Sequence, residues 1–139
     1  MNADQPVYVF DSHAVLAYLG GEPGCEQVRA ILTTAAEGSC RVAMSVINLG
    51  EIAYIVERER GLAQAQAALA ALALFPIEIV PATRDMVLSA AHVKASHPIA
   101  YADAFAVAAA LKLGGTVVTG DPEFAAAEGL IRVEWLPPS

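Results

Sequence analysis

Val7-Tyr8-Val9-Phe10, followed by Asp11, is the stretch on which the reading of this chain turns. Four apolar residues, β-branched or aromatic, favour a buried strand, and a lone carboxylate stands at its end. No other charged residue lies between Asp4 and Glu22. The pattern recurs along the chain. Glu51 is the only charge between Arg41 and Glu57, Asp103 is the only one between Lys94 and Lys112, and Asp121 follows the apolar run Val117-Val118-Thr119. An isolated acid among apolar neighbours costs free energy unless it is paired or bound to a cation. Four such acids in one small chain predict that the fold gathers them around a metal ion.

Outward from the first strand, short apolar runs alternate with helical patterns. Further strands are expected over residues 41–44, 77–81, 116–119 and 131–135. Val15, Leu16 and Leu19 have helical spacing, broken by Gly20-Gly21, and a second helix is expected over 25–36 with Val28, Ile31 and Leu32 on one face. Ser45 is placed to cap a helix carrying Val46, Ile47, Leu49, Ile52, Ile55 and Val56. Apolar residues lie nearly all round that helix, so it reads as buried, with Glu51 at its middle. An Ala/Leu helix over 62–74 ends before Pro76, Thr83 caps one over 84–95, and another runs over 99–113 until Gly114-Gly115 stops it.

This alternation predicts an α/β fold, a three-layer α/β/α sandwich with a mostly parallel central sheet, in a single domain over residues 1–139. In such sheets, sites form beyond the carboxyl ends of strands at the topological switch point. Asp11 and Asp121 both stand just past expected strand ends, which suits a site if strands one and four are neighbours.

The 139 residues carry a net charge of −7, with a pI near 4.8. That balance argues against a general nucleic-acid binder, but it admits an enzyme that holds nucleic acid through metal ions, and it leaves room for a basic protein partner. Alanine inflates the mean hydropathy of +0.50. The longest uncharged stretch of the Ala-rich region, 62–77, contains Gln64, Gln66 and Pro76 and falls short of the roughly 20 apolar residues of a membrane span. Residues 1–6 show no signal-peptide pattern, and Cys25 and Cys40 fit neither a metal spacing nor a disulfide framework. Together these features read as a cytoplasmic protein with reduced thiols and no membrane association.

Hard divalent cations such as Mg²⁺ or Mn²⁺ prefer carboxylate oxygens and water, and the acids come without thiolate or imidazole spacing. A site of this kind stabilises charge on a phosphodiester and acidifies the attacking water. Crowded without a cation, the carboxylates would raise one another's pKa values by repulsion. Each acid also has a plain structural reading. Asp11 suits a helix N-cap, Asp121 before Pro122 suits a turn, and Asp103 suits a helix dipole. Glu51, mid-helix among apolar residues, is hardest to explain structurally.

Four segments carry a family resemblance: Val9-Phe10-Asp11-Ser12, Ser45-Val46-Ile47-Asn48-Leu49-Gly50-Glu51, Tyr101-Ala102-Asp103-Ala104-Phe105-Ala106, and Val118-Thr119-Gly120-Asp121-Pro122-Glu123-Phe124. In this order and spacing they resemble the PIN-domain family, specifically its small VapC-type toxins of toxin–antitoxin pairs. The resemblance implies a Mg²⁺- or Mn²⁺-dependent endoribonuclease with the acidic quartet Asp11, Glu51, Asp103 and Asp121. It implies Asp11 and Asp103 as the main direct metal ligands, Glu51 and Asp121 as holders of coordinated waters or a second ion, and Ser12 and Thr119 as supporting groups. It also implies an RNA substrate, a homodimer, and inhibition by a cognate VapB-type antitoxin. One departure is local: family members often carry a polar residue just before the Tyr-Ala-Asp segment, where this chain has Ile99-Ala100.

Arg41, Arg84, Lys94, His97 and Lys112 are candidates for a basic rim around the acids, although for each alone an ordinary solvated surface charge is the better reading. His13 follows Asp11 closely enough to face the same pocket, but carries no assigned catalytic role. The helix over 62–74 offers either a docking face for a dimer mate or antitoxin, or ordinary core packing. Two other functions compete. A receiver-type phospho-acceptor domain expects paired acids after strand one and an Asp after strand three, where this chain has Asp11-Ser12 and Val80-Pro81-Ala82. A PIN-like partner-binding scaffold without nuclease activity would not require an intact quartet.

Overall fold

The pleat of the first strand sorts the core. Successive side chains on a strand face opposite sides, and here Val9 joins one apolar cluster while Tyr8 and Phe10 join the other. The same alternation divides Ala43 from Val42 and Met44, and Val117 from Val118. The computed structural model describes residues 5–138. Residues 1–4, within the segment read above as carrying no signal peptide, and Ser139 lie outside them.

The strands are β1 (Val7–Phe10), β2 (Arg41–Ser45), β3 (Ile77–Val80), β4 (Thr116–Thr119) and β5 (Arg132–Trp135). They form one sheet in the order β3-β2-β1-β4-β5, and every pairing is parallel. The helices are α1 (Ser12–Leu19), α2 (Cys25–Ala36), α3 (Val46–Arg60), α4 (Leu62–Leu72), α5 (Arg84–Ser96) and α6 (Tyr101–Leu113), with a 3-10 helix over Pro122–Ala127. α5 and α6 cover one face of the sheet, and α1, α2 and α3 contribute to the core on the other. This is the three-layer α/β/α architecture, with the sheet wholly parallel rather than mostly so.

One helix departs from the burial the sequence suggested. α3 is not buried all round: only Asn48 and Ile52 are fully enclosed, and Tyr54 is exposed. The buried helix is α6, where every residue from Asp103 to Ala110 is inside. Its alanines explain this, because small side chains let a helix lie between the sheet and its α5 and α3 neighbours without needing an apolar stripe of large residues. α4 ends at Leu72, leaving Leu74 exposed, and it packs on α3 with only Ala65 and Leu72 buried. It is therefore not simple core.

Expected caps are present. Ser45 Oγ accepts the Ile47 N–H at 3.1 Å, and Thr83 Oγ1 accepts the Met86 N–H at 3.2 Å. Gly114, at φ 65°, closes α6 in the left-handed conformation that glycine adopts without penalty. Cys25 and Cys40 are both buried and unpaired. No helix among the described residues is long and apolar enough to cross a membrane.

Candidate functional site

The sheet order sets the place of the site. From β1 the chain goes to β2 on one side, and β4 later pairs on the other, so the switch point lies between β1 and β4. The register Phe10↔Val118 brings the next residues, Asp11 and Thr119, side by side at the carboxyl ends. The neighbour relation that the acids require is therefore met.

Asp11 is 1% exposed and serves as the N-cap of α1. Its Oδ1 accepts the Ala14 N–H at 2.9 Å, and its Oδ2 accepts the Thr119 hydroxyl at 2.5 Å. The same Thr119 oxygen accepts the Asp121 N–H at 2.9 Å, so one hydroxyl links the two acids. Asp121 in turn caps the 3-10 helix by accepting the Glu123 N–H at 2.9 Å. Both the capping and turn roles read from the sequence are real, and they coexist with convergence of the acids.

Glu51 is reached from two directions. Ser12 donates to its Oε1 at 2.5 Å, and Asn48, one helical turn earlier, directs its amide N–H₂ toward the same oxygen at 3.5 Å. The Asn48 amide also donates to the Ala102 carbonyl at 3.2 Å, tying α3 to the first turn of α6 beside Asp103. Two acceptors on one side fix which way the amide faces. Its other end, Oδ1, is buried without a hydrogen-bond partner.

Asp103 is 7% exposed in the first turn of α6. Its carboxylate approaches those of Asp121 and Glu123, and one oxygen from each lies within 4.8 Å of the others. This trio is the tightest acidic grouping among the described residues; Asp11 and Glu51 are not part of it. Glu123, not singled out from the sequence, also repairs the departure before α6. Ala100, the N-cap, has no side-chain cap, and the Glu123 carboxylate accepts its backbone N–H from across the site. The only sequence signal was an acid two residues beyond Asp121.

Burial pushes the Asp11 carboxyl up to about 7, with repulsion from Asp121 and Glu51 adding to it and the hydrogen bonds from Thr119 and Ala14 opposing it. Burial likewise pushes Asp103 up to about 7, reinforced by Asp121, Asp11, Glu123 and Glu51. Repulsion contributes as expected, but loss of water is the larger cause in both. Asp11 and Asp103 thus each lie within electrostatic reach of the other three acids of the quartet, around a place where a positive charge would relieve the repulsion on both.

The basic rim is thinner than its candidates. Arg41, at the start of β2, lies at the opposite end of its strand from the acids and pairs with Glu78 at 2.8 Å. Lys112 is in the last turn of α6, far along the helix from Asp103. The His97 ring engages the Val93 carbonyl at the end of α5. Lys94 donates to the Ile99 carbonyl just before α6, and Arg84 follows β3 at the carboxyl edge of the sheet. Beside the acids, a groove of about 590 Å³ runs between α1, α3 and α4, lined by His13, Leu16, Leu19, Ile55 and Val56 among others.

The PIN domain family model matches residues 8–130. The chain belongs to the PIN domain family. No curated protein matches it in sequence. This PIN domain is similar to several solved structures, each at low identity. One is VapBC2 from Rickettsia felis bound to a promoter DNA fragment, at TM-score 0.76 and 18% identity over 94% of this chain and 99% of that one. Another is the DNA-bound VapBC of Salmonella typhimurium, at TM-score 0.73 and 20% identity over 94% and 98%. A third is VapC20 of Mycobacterium tuberculosis, a Sarcin-Ricin loop cleaving toxin, at TM-score 0.71 and 23% identity over 94% and 99%.

Proposed function

We propose that this PIN domain is a Mg²⁺- or Mn²⁺-dependent endoribonuclease, the toxin of a VapBC-type toxin–antitoxin pair. Its catalytic and metal-binding set is Asp11, Glu51, Asp103 and Asp121. The observation that carries this reading is the convergence of these acids at the β1–β4 switch point, with Asp103, Asp121 and Glu123 close enough for their oxygens to share one ion. An all-carboxylate donor set in a partly closed crevice fits a hard divalent cation. The unpartnered Asn48 Oδ1 and the raised carboxyls fit the same assignment.

When bound, the cation supplies charge neutralisation at the phosphodiester and a more acidic attacking water. The chain supplies preorganisation. Thr119 and Ala14 fix Asp11, whose oxygens keep acceptor capacity for a cation. Ser12 and Asn48 hold Glu51, and Asn48 fixes its distance from the turn that carries Asp103. Glu123 joins as a fifth acid of the site.

The proposed partners are an RNA substrate, a cognate VapB-type antitoxin and a second copy in a homodimer. Relatives of this fold are found in VapBC complexes. The groove between α1, α3 and α4 mixes apolar residues such as Leu16, Leu19, Ile55 and Val56 with the charged Glu22, Glu59 and Arg60, which suits an amphipathic helix bearing both apolar and charged side chains.

The test is cleavage of a mixed RNA pool by purified protein in Mg²⁺, in Mn²⁺ and in excess chelator, beside Asp11→Asn. Metal-dependent cleavage lost in the variant supports the nuclease. A folded protein that cuts nothing under any metal, or a variant that cuts as well as the parent, overturns it.

A further inference from the structure

Gly120 lies between Thr119 and Asp121, and its backbone does not explain why it is glycine: its φ is not positive. What excludes a side chain there is His13. A Cβ built at Gly120 would overlap the ring carbon Cε1 and lie 3.1 and 3.2 Å from the two ring nitrogens. The ring is seated against the backbone, and the Gly120 N–H donates to His13 Nδ1 at 3.2 Å. That bond makes Nδ1 the acceptor and places the ring proton on Nε2.

We propose that His13 is a positioning residue that holds the Thr119–Asp121 turn in its cation-binding geometry, and that Gly120 is glycine to admit its ring. The remaining polar groups of the turn support this. The Asp121 N–H is held by Thr119 Oγ1, and the Thr119 carbonyl accepts the Leu136 N–H at 2.8 Å. The Gly120 N–H is the remaining backbone donor of the turn, and His13 is its acceptor. Asp121 carries a carboxylate of the acidic trio, so the imidazole of α1 orients a ligand borne by the loop after β4.

The inference rests on the cation site proposed above, so the test has two separate readouts: Mn²⁺ affinity by calorimetry, and hydrogen exchange at the Gly120 amide in metal-free protein. His13→Ala is expected to weaken Mn²⁺ binding about tenfold and to lose protection at Gly120. His13→Asn, whose amide oxygen can take the place of Nδ1, is expected to restore both to within about threefold. Gly120→Ala should be as damaging as His13→Ala. In the His13→Ala background it should add little, because the clash is gone. Additive losses in the double variant, or unchanged exchange and affinity in His13→Ala, overturn the proposal. If the parent binds no Mn²⁺, the cation site falls, and the exchange data alone judge whether His13 holds the turn.

Discussion

The Thr119 hydroxyl donates to Asp11 Oδ2 at 2.5 Å, joining residues 108 positions apart across the β1–β4 seam. Because the same oxygen accepts the Asp121 N–H, the bond fixes two acids through one atom. Thr119→Val keeps the shape and removes the donor. Hydrogen bonds to charged groups contribute about 1.5–3 kcal/mol, so a loss of that size is expected at pH 8. The Asp11 carboxyl should titrate higher than about 7, since this bond lowers it. Carbon NMR of the Asp11 carboxyl in metal-free protein checks it; an unmoved titration would show that the bond is not made in solution.

Stability should depend on pH in an unusual direction. Folded Asp11 and Asp103 titrate near 7 in place of the ordinary 3.8. Between those values the folded state binds more protons than the unfolded one, so stability falls as pH rises toward and through 7. For Asp11 alone the loss is on the order of 2–4 kcal/mol. Urea unfolding with chelator at pH 5 and pH 8 should show it, and saturating Mn²⁺ should cancel it at pH 8. A flat profile with chelator would refute the burial argument.

Glu123 serves two contacts that can be separated. Glu123→Gln keeps an oxygen for the Ala100 N–H but removes the charge from the trio. Its melting temperature should stay near that of the parent while Mn²⁺ affinity drops about tenfold or more. Glu123→Ala should lose both. Equal affinity in parent and Gln variant would place Glu123 outside the ion site.

Asn48 distinguishes donor from acceptor. Its N–H₂ faces Glu51 Oε1 and the Ala102 carbonyl, both acceptors. Asn48→Asp sets a carboxylate against them, and should cost more than Asn48→Ala, which loses about 1–3 kcal/mol. Denaturation at pH 8 ranks the two, and the reverse order would mean that the amide faces the other way.

Much of this was readable in the residues because it was local. The strand runs, the Ser45 and Thr83 caps and the four isolated acids each depend on a few neighbours in sequence. The misjudged burial of α3 shows where locality ends. α3 has large apolar residues on many sides yet lies partly open, while α6 is enclosed through its alanines, because the space between layers decides burial. Glu123 stands in the fourth resemblance segment with no role of its own in the sequence, and the approach of the 3-10 helix to Ala100 and Asp103 gives it one. The fit of His13 to Gly120 joins positions that no spacing rule connects.

The strand order has a consequence during synthesis. β1 leaves the ribosome early, but its second neighbour, β4, begins at Thr116, and Thr119 and Asp121 come later still. Until then Asp11 has neither its hydroxyl donor nor its acidic neighbour across the seam. The acid cluster therefore stays incomplete on a growing chain until β4 pairs with β1, so a polypeptide interrupted before Thr116 carries Asp11, Glu51 and Asp103 without the Thr119 and Asp121 that complete the centre.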